Sequence, residues 1–381
     1  MEDKSMAFKE GFSNTIRLIR FPLSVLIVAM HCDVYGNNLF VPLNSVIGIT
    51  PDHSFVFYLI KVISGILSRV AVPFFFFISG YLFFLNIKQF GKDEYLYKLK
   101  KRFKTLFIPY LAWCVVAILI ALLHQKLNAP YDTQLFDKSL PQLFVRLFAD
   151  PSVNWWHLSA PSDGPLWFIR DLFCMVLVSP FIYFMVKRVP WALILILIAW
   201  MSWRVPTYVP GFSLVSILFF SAGAWVSANN INILALDRYR HILLILMVIS
   251  IVADICILHY DSWYPDSISA EIREKFHDVM IILIILNTAL WGGKYAKGIK
   301  ISKTMATLSA ASFVIYALHT LIMGDLVLLA YHTVGIPTPP SHAGILALYL
   351  YEIIGCIAVA TLLYIVLSKF KITRLLFTGD R

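Results

Sequence analysis

The sequence predicts an all-α, polytopic integral membrane protein, with about 10 transmembrane helices around an interior cavity. Three observations predict it. Apolar residues make up 59% of the 381 and charged residues only 14%, where a water-soluble domain carries about a quarter charged; the mean hydropathy is +0.76. The oily residues are gathered into stretches near the roughly 20 residues that cross a bilayer. The basic residues collect in alternate loops, the asymmetry that fixes membrane orientation. The formal net charge of +10 is therefore topological. No basic patch interleaved with aromatics marks a nucleic-acid module. Cys32, Cys114, Cys174, Cys256 and Cys356 all fall in apolar segments without ligand-like spacing. They are expected to be buried small hydrophobes, with no disulfide framework and no metal site.

The polar N-terminal MEDKSMAFKEGFSNTIR carries no cleavable signal pattern, so the first span, near 17–36, is expected to be retained. The second, 55–87, is long enough to tilt or to bend at Pro73. The third, 105–124, follows the basic run KKRFK, and the fourth, 166–186, ends at Lys187-Arg188. The fifth, 189–205, and the eighth, 277–292, are the shortest. Spans at 211–229, 239–259, 306–332 and 342–367 complete the set, and an even count puts both termini on one side. Placing the N-terminus in the cytoplasm puts KQFGKDEYLYKLKKRFK, Lys187-Arg188, DRYR, KYAKGIKISK and KFKITR inside. The other loops keep only Lys126, Lys138, Arg146, Arg204, Arg273 and Lys275. Because one missed helix would invert every later loop, this agreement supports ten spans. Two segments are expected outside, 125–165 and 260–276. No internal repeat is evident, and 1–381 is expected to be one membrane domain with its bundle over 17–367.

Ionisable side chains inside spans are costly unless paired or facing a cavity. The deep set is His31, Lys61, Arg69, Asp254, His319, Asp325 and Glu352, with Arg20, Arg170 and Asp171 nearer the span ends. Lys61 and Asp254 suit an interhelical hydrogen bond or snorkelling to an interface, and Arg170 beside Trp167 suits a membrane interface. Arg20 and His31 are eleven positions apart, which on a helix is about 16 Å and nearly the same face. Arg69, Pro73, Phe76 and Gly80 share a stripe, where Ser79-Gly80 serves either close helix packing or space for a ligand. Tyr316 and His319 are neighbours at i, i+3. His31 and His319 are the candidate acid–base groups, since histidine alone has an unshifted pKa suited to proton transfer near neutrality. No P-loop, nucleophile elbow or dinucleotide fingerprint is present.

The ordered blocks resemble the membrane-bound acyltransferase-3 family. They are Arg20-x10-His31, the Arg69-to-Gly80 block, KKRFKTLFIPYLAW, WFIRDLF and IYALH, which lie along most of the chain. The resemblance implies transfer of an acyl group, commonly acetyl, from acetyl-CoA or another acyl-CoA to a hydroxyl, usually of a cell-surface glycan. It implies a cytoplasmic donor and an acceptor presented from the far side of the plasma (inner) membrane. The sequence given carries no SGNH-like domain, so the stand-alone type is expected. Arg20, Lys101, Arg102 and Lys104 could meet the donor's phosphates. His31 would be the general base, with Arg69, Ser79 or Tyr316 as oxyanion donor and His319 either orienting a substrate or packing. No cofactor is bound permanently. The partners implied are acyl-CoA, a glycan or small hydroxylated acceptor, and membrane lipid; no segment identifies a homo-oligomer interface. A transporter or flippase is the alternative from another class, since it also explains intramembrane charge and broken spans.

Overall fold

The computed structural model describes residues 2–35, 49, 52–87, 90–127, 140–149, 161–202, 209–263, 267–335 and 340–379. All the regular structure among them is helical. Among the described residues seven helices are long and apolar enough to cross a membrane, or eight when the bent pair Gly164–Leu177 and Ser179–Arg188 counts as one span, its halves meeting at 67°. Two shorter apolar helices, Ala192–Met201 and Leu214–Ala228, stand apart from that count. Each of the ten expected spans thus overlaps an apolar helix or bent pair, but two of those helices are shorter than a full crossing. The expected outer segments are only partly visible: 128–139, 150–160 and 264–266 lie outside the described residues.

Helix α1 (Glu2–His31) packs against several of the later helices. Its N-terminal half packs on α12 (Ser267–Tyr295), where a β-carbon on Gly11 would lie 2.4 Å from the Gly293 carbonyl oxygen. Small residues at such contacts let backbones approach, which is how helices adhere where lipid removes the hydrophobic drive. Ser309 on α13 (Lys303–Val334) donates to the Arg17 carbonyl at 2.9 Å and ties that helix to α1 as well. At the other end of α1, Lys61 on α2 (Phe55–Lys61) pairs with Asp33 at 2.7 Å, and Ser64 donates to the Ala29 carbonyl at 2.6 Å.

The second span is irregular at a definable place. A π turn (Val62–Ile66) and a 3-10 turn (Leu67–Val70) separate α2 from α3 (Ala71–Phe84). Pro73 lies just downstream. It cannot donate to the carbonyl of Arg69, and its ring crowds that carbonyl, so the irregularity falls on its N-terminal side. The same logic holds at Pro109: a π turn over Phe103–Phe107 joins α4 (Lys92–Arg102) to α5 (Ile108–Lys126).

Part of the segment expected outside is packed within the bundle. After α6 (Leu140–Arg146), the Leu147 carbonyl accepts from Tyr110, in the first turn of α5, and the Phe148 carbonyl accepts from Arg170 at 2.7 Å. A 3-10 turn, Gly164–Leu166, then opens α7 (Trp167–Leu177), followed by α8 (Ser179–Arg188). From Gly164 to Leu177 the rise is about 20 Å, less than a hydrocarbon core of about 30 Å. This half-length helix starts inside the protein. Arg170 and Asp171 accordingly face protein rather than solvent or lipid headgroups: they are 6% and 0% exposed and bonded to each other at 3.0 Å. Asp171 also accepts from the Ser213 amide at 3.2 Å, at the start of α10 (Leu214–Ala228). The short apolar helix before it is α9 (Ala192–Met201), and α11 (Arg240–Trp263) and α14 (His342–Leu367) complete the long helices.

Candidate active site

Five helices, α1, α3, α4, α7 and α13, converge on one pocket of about 210 Å³. Helix α1 contributes Ile16, Arg20 and Ser24; α3 contributes Ser79. Arg102 closes one side from the end of α4, and α13 brings Ser312 and Tyr316. Two of the four predicted donor cations, Arg20 and Arg102, therefore line one space. Lys101 and Lys104 flank Arg102, are exposed, and are not among the lining residues. A larger, almost wholly apolar groove of about 850 Å³ lies between α9, α10 and α12. The smaller pocket is lined by Arg20 and Arg102, the larger one by no ionisable side chain.

Ser79 and Gly80 divide the two expected uses of their block. Ser79 faces the pocket, whereas a β-carbon on Gly80 would meet the Phe220 carbonyl oxygen of α10 at 2.0 Å. Gly223 reciprocates, with a β-carbon 2.1 Å from the Phe77 carbonyl oxygen. Gly80 serves backbone contact, and the space beside it holds another helix rather than a ligand.

Beyond the pocket along α1, His31 meets His319 of α13, with ring centroids 5.0 Å apart and planes tilted by 50°. His31 is half-buried and His319 fully buried. His319 Nδ1 lies 2.8 Å from the Tyr316 carbonyl and 3.2 Å from the Ile315 carbonyl. Carbonyls only accept, so this network assigns the hydrogen to Nδ1 and leaves Nε2 as the acceptor nitrogen. Nε2 is buried without a hydrogen-bond partner among the described residues. Behind the pair, the Cys356 thiol donates to the His319 carbonyl at 3.7 Å, and Glu352 on the same helix as Cys356 is buried.

The other candidates are placed differently. The Tyr316 hydroxyl donates to the Pro165 carbonyl, so its hydrogen is already engaged. Arg69 lies in the 3-10 turn before α3, and its charged neighbours are Arg273, Glu274, Asp254 and Asp278. It is not among the residues lining the pocket. Asp254 pairs with Arg273 at 2.9 Å and with His277 at 2.6 Å, the interhelical pairing expected of it. Asp325 is about half exposed and pairs with His124 at 3.4 Å. Among the described residues no group of His, Cys, Asp and Glu could hold a metal ion.

Two residues beside the histidines carry no motif signal. Asp163 is 1% exposed, accepts from the Thr320 hydroxyl at 3.3 Å, and leaves Oδ2 without a partner. Burial pushes its carboxyl well above the usual carboxylate range. The one available sign in the sequence is an acid directly ahead of the Gly-Pro that opens an apolar run.

An all-α, multi-pass membrane protein with a half-buried histidine against a buried one, beyond an arginine-lined pocket, is the class defined so far. The acyltransferase-3 family profile, described as an acyltransferase domain, matches residues 14–369, and the chain belongs to that family. It is also similar to the "Succinoglycan biosynthesis protein ExoH" of Rhizobium meliloti (strain 1021), at 32% identity over 176 residues. That match covers 45% of this chain and 45% of the relative, so the chain spans less than half the length of the curated protein it matches. No solved structure matches.

Proposed function

We propose that the protein is an acyl-CoA-dependent O-acyltransferase that moves an acyl group, most simply acetyl, onto a hydroxyl of a cell-surface glycan or related acceptor. The observation that carries the reading is the contact between His31 and His319 beyond a pocket lined by Arg20 and Arg102. In a family defined by acyl transfer, those arginines suit a donor bearing phosphates, as planar guanidinium forks match phosphate oxygens. A pocket of about 210 Å³ is below the range of roughly 300–1,000 Å³ for sites that enclose a drug-sized ligand. It suits the acyl-bearing arm of the donor, with the nucleotide held at the mouth.

His31 then removes the acceptor hydroxyl proton as that oxygen attacks the thioester carbonyl. The C–S bond breaks, the ester C–O bond remains, and the imidazolium returns its proton to the departing thiolate. His319 orients the His31 imidazole by ring contact, the two centroids lying 5.0 Å apart. Ser79 lines the pocket beside Arg20 and Arg102, at the phosphate end of the proposed donor site, away from the attacked carbonyl at His31. Ten crossings, both termini cytoplasmic and the donor entering from the cytoplasm complete the reading, in the cell's inner or plasma membrane.

The test is mass spectrometry of glycans and small metabolites from cells with and without the intact gene, together with the purified protein in proteoliposomes supplied with acetyl-CoA. An acetyl-sized mass difference and matching release of free CoA are expected. Substrate movement across the vesicle without covalent change would make the protein a transporter instead.

A further inference from the structure

Tyr316 and Thr320 are four residues apart on α13, one turn on the same face, and His319 lies between them in sequence. Both hydroxyls are fastened to the same short stretch of chain: Tyr316 donates to the Pro165 carbonyl and Thr320 to Asp163 Oδ1. That stretch is itself held, because the Ser162 amide and hydroxyl both donate to the Arg146 carbonyl, at 2.8 and 2.9 Å. The result is a two-point latch that fixes the rotation of α13 about its own axis at the turn bearing His319.

We propose that Asp163 is a positioning residue for acyl transfer, setting the His319 ring against His31 by latching Thr320 to the half-length helix. The inference rests on the reading of His31 and His319 as the reacting pair. Asp163 works as the neutral acid. No cation pairs with it among the described residues, and an ionised carboxylate with a single hydrogen bond would be costly to bury. As the acid, it accepts through Oδ1 and carries its hydrogen on Oδ2, the oxygen without a partner. Asparagine has the same shape, no charge and the same acceptor, so it is the conservative replacement.

The experiment compares the full chain with D163N, D163A, T320V and D163A/T320V in nanodiscs. Two readouts are taken: imidazole nitrogen and carbon shifts of His319, assigned with H319Q, and kcat against KM for acetyl-CoA. D163A and T320V should displace the His319 signals alike and lower kcat at least ten-fold, with KM within two-fold. The double variant should lose no more than either single one. D163N should keep the wild-type signals and stay within about three-fold in kcat. A D163N as damaged as D163A, or a T320V with unmoved His319 signals, overturns the latch. If D163A does not fold, T320V against D163N decides. Because the spectra need no turnover, they test the latch even where no acyl transfer is found, which would count against the proposed function alone.

Discussion

At the residue scale, the two histidines differ in what holds them. His319 is fixed by backbone carbonyls of its own helix, while His31 ends α1 and is half-buried. On the proposed reading, that difference makes His31 the ring that exchanges a proton and His319 its support. His31→Gln keeps a hydrogen-bonding group but cannot take a proton at neutral pH. It should lower turnover by about 10²–10⁴-fold, the usual contribution of a general base, while equilibrium binding of acetyl-CoA stays intact. Near-normal turnover would make His31 architectural. For the donor, Arg20→Lys and Arg102→Lys keep the charge and lose the fork. Each should weaken acetyl-CoA binding by roughly ten-fold or more, as hydrogen bonds to charged groups contribute about 1.5–3 kcal/mol. Unchanged affinity in both variants would remove the phosphates from that pocket mouth.

At the scale of elements, prolines and glycines shape the site from outside it. Pro73 and Pro109 sit just downstream of the π turns that bring Arg69 and Arg102 to their places. Gly80 and Gly223 bring α3 against α10 at backbone distance, which sets the wall on which Ser79 stands. An added methyl at either glycine would raise helix propensity by about 1 kcal/mol. It would also have to occupy space 2.0–2.1 Å from a carbonyl oxygen, where overpacking costs about 1–3 kcal/mol or more. Gly80→Ala and Gly223→Ala should therefore lower the unfolding temperature in detergent. A rise in either would mean that the two helices separate readily.

At the scale of the whole molecule, the bundle is asymmetric in charge as well as in structure. Asp93 lies in the basic helix α4 and Lys300 between α12 and α13, both on the side assigned to the cytoplasm. Cysteines placed at 93 and 300 should resist an impermeant reagent added to intact cells, while one at 135 should react, each compared with the unsubstituted chain. External labelling at 300 would reverse the loops from 293 onward and remove the even count of crossings. Labelling at 135 also bears on the inward-packed segment, because 146–148 and 161–166 return into the bundle on either side of residues outside the described set.

The all-helical membrane class, the apolar segments and the Arg20–His31 stripe were determined by the sequence itself. They follow from hydropathy, length and the helical repeat, which are local properties of the chain. So was the isolation of Arg20, His31 and His319 as costly polar groups inside spans, since desolvation depends on residue type before it depends on neighbours. Which of those groups meet was decided only by the tertiary structure. It joined His31 to His319 across α1 and α13, and sent Arg69 toward Arg273 and Asp325 to His124. It buried Arg170 and Asp171 by starting α7 within the protein, and it brought Asp163 to Thr320. No pattern along the chain encodes these meetings, because each joins residues whose relation is set by how helices pack and where a half-length helix begins.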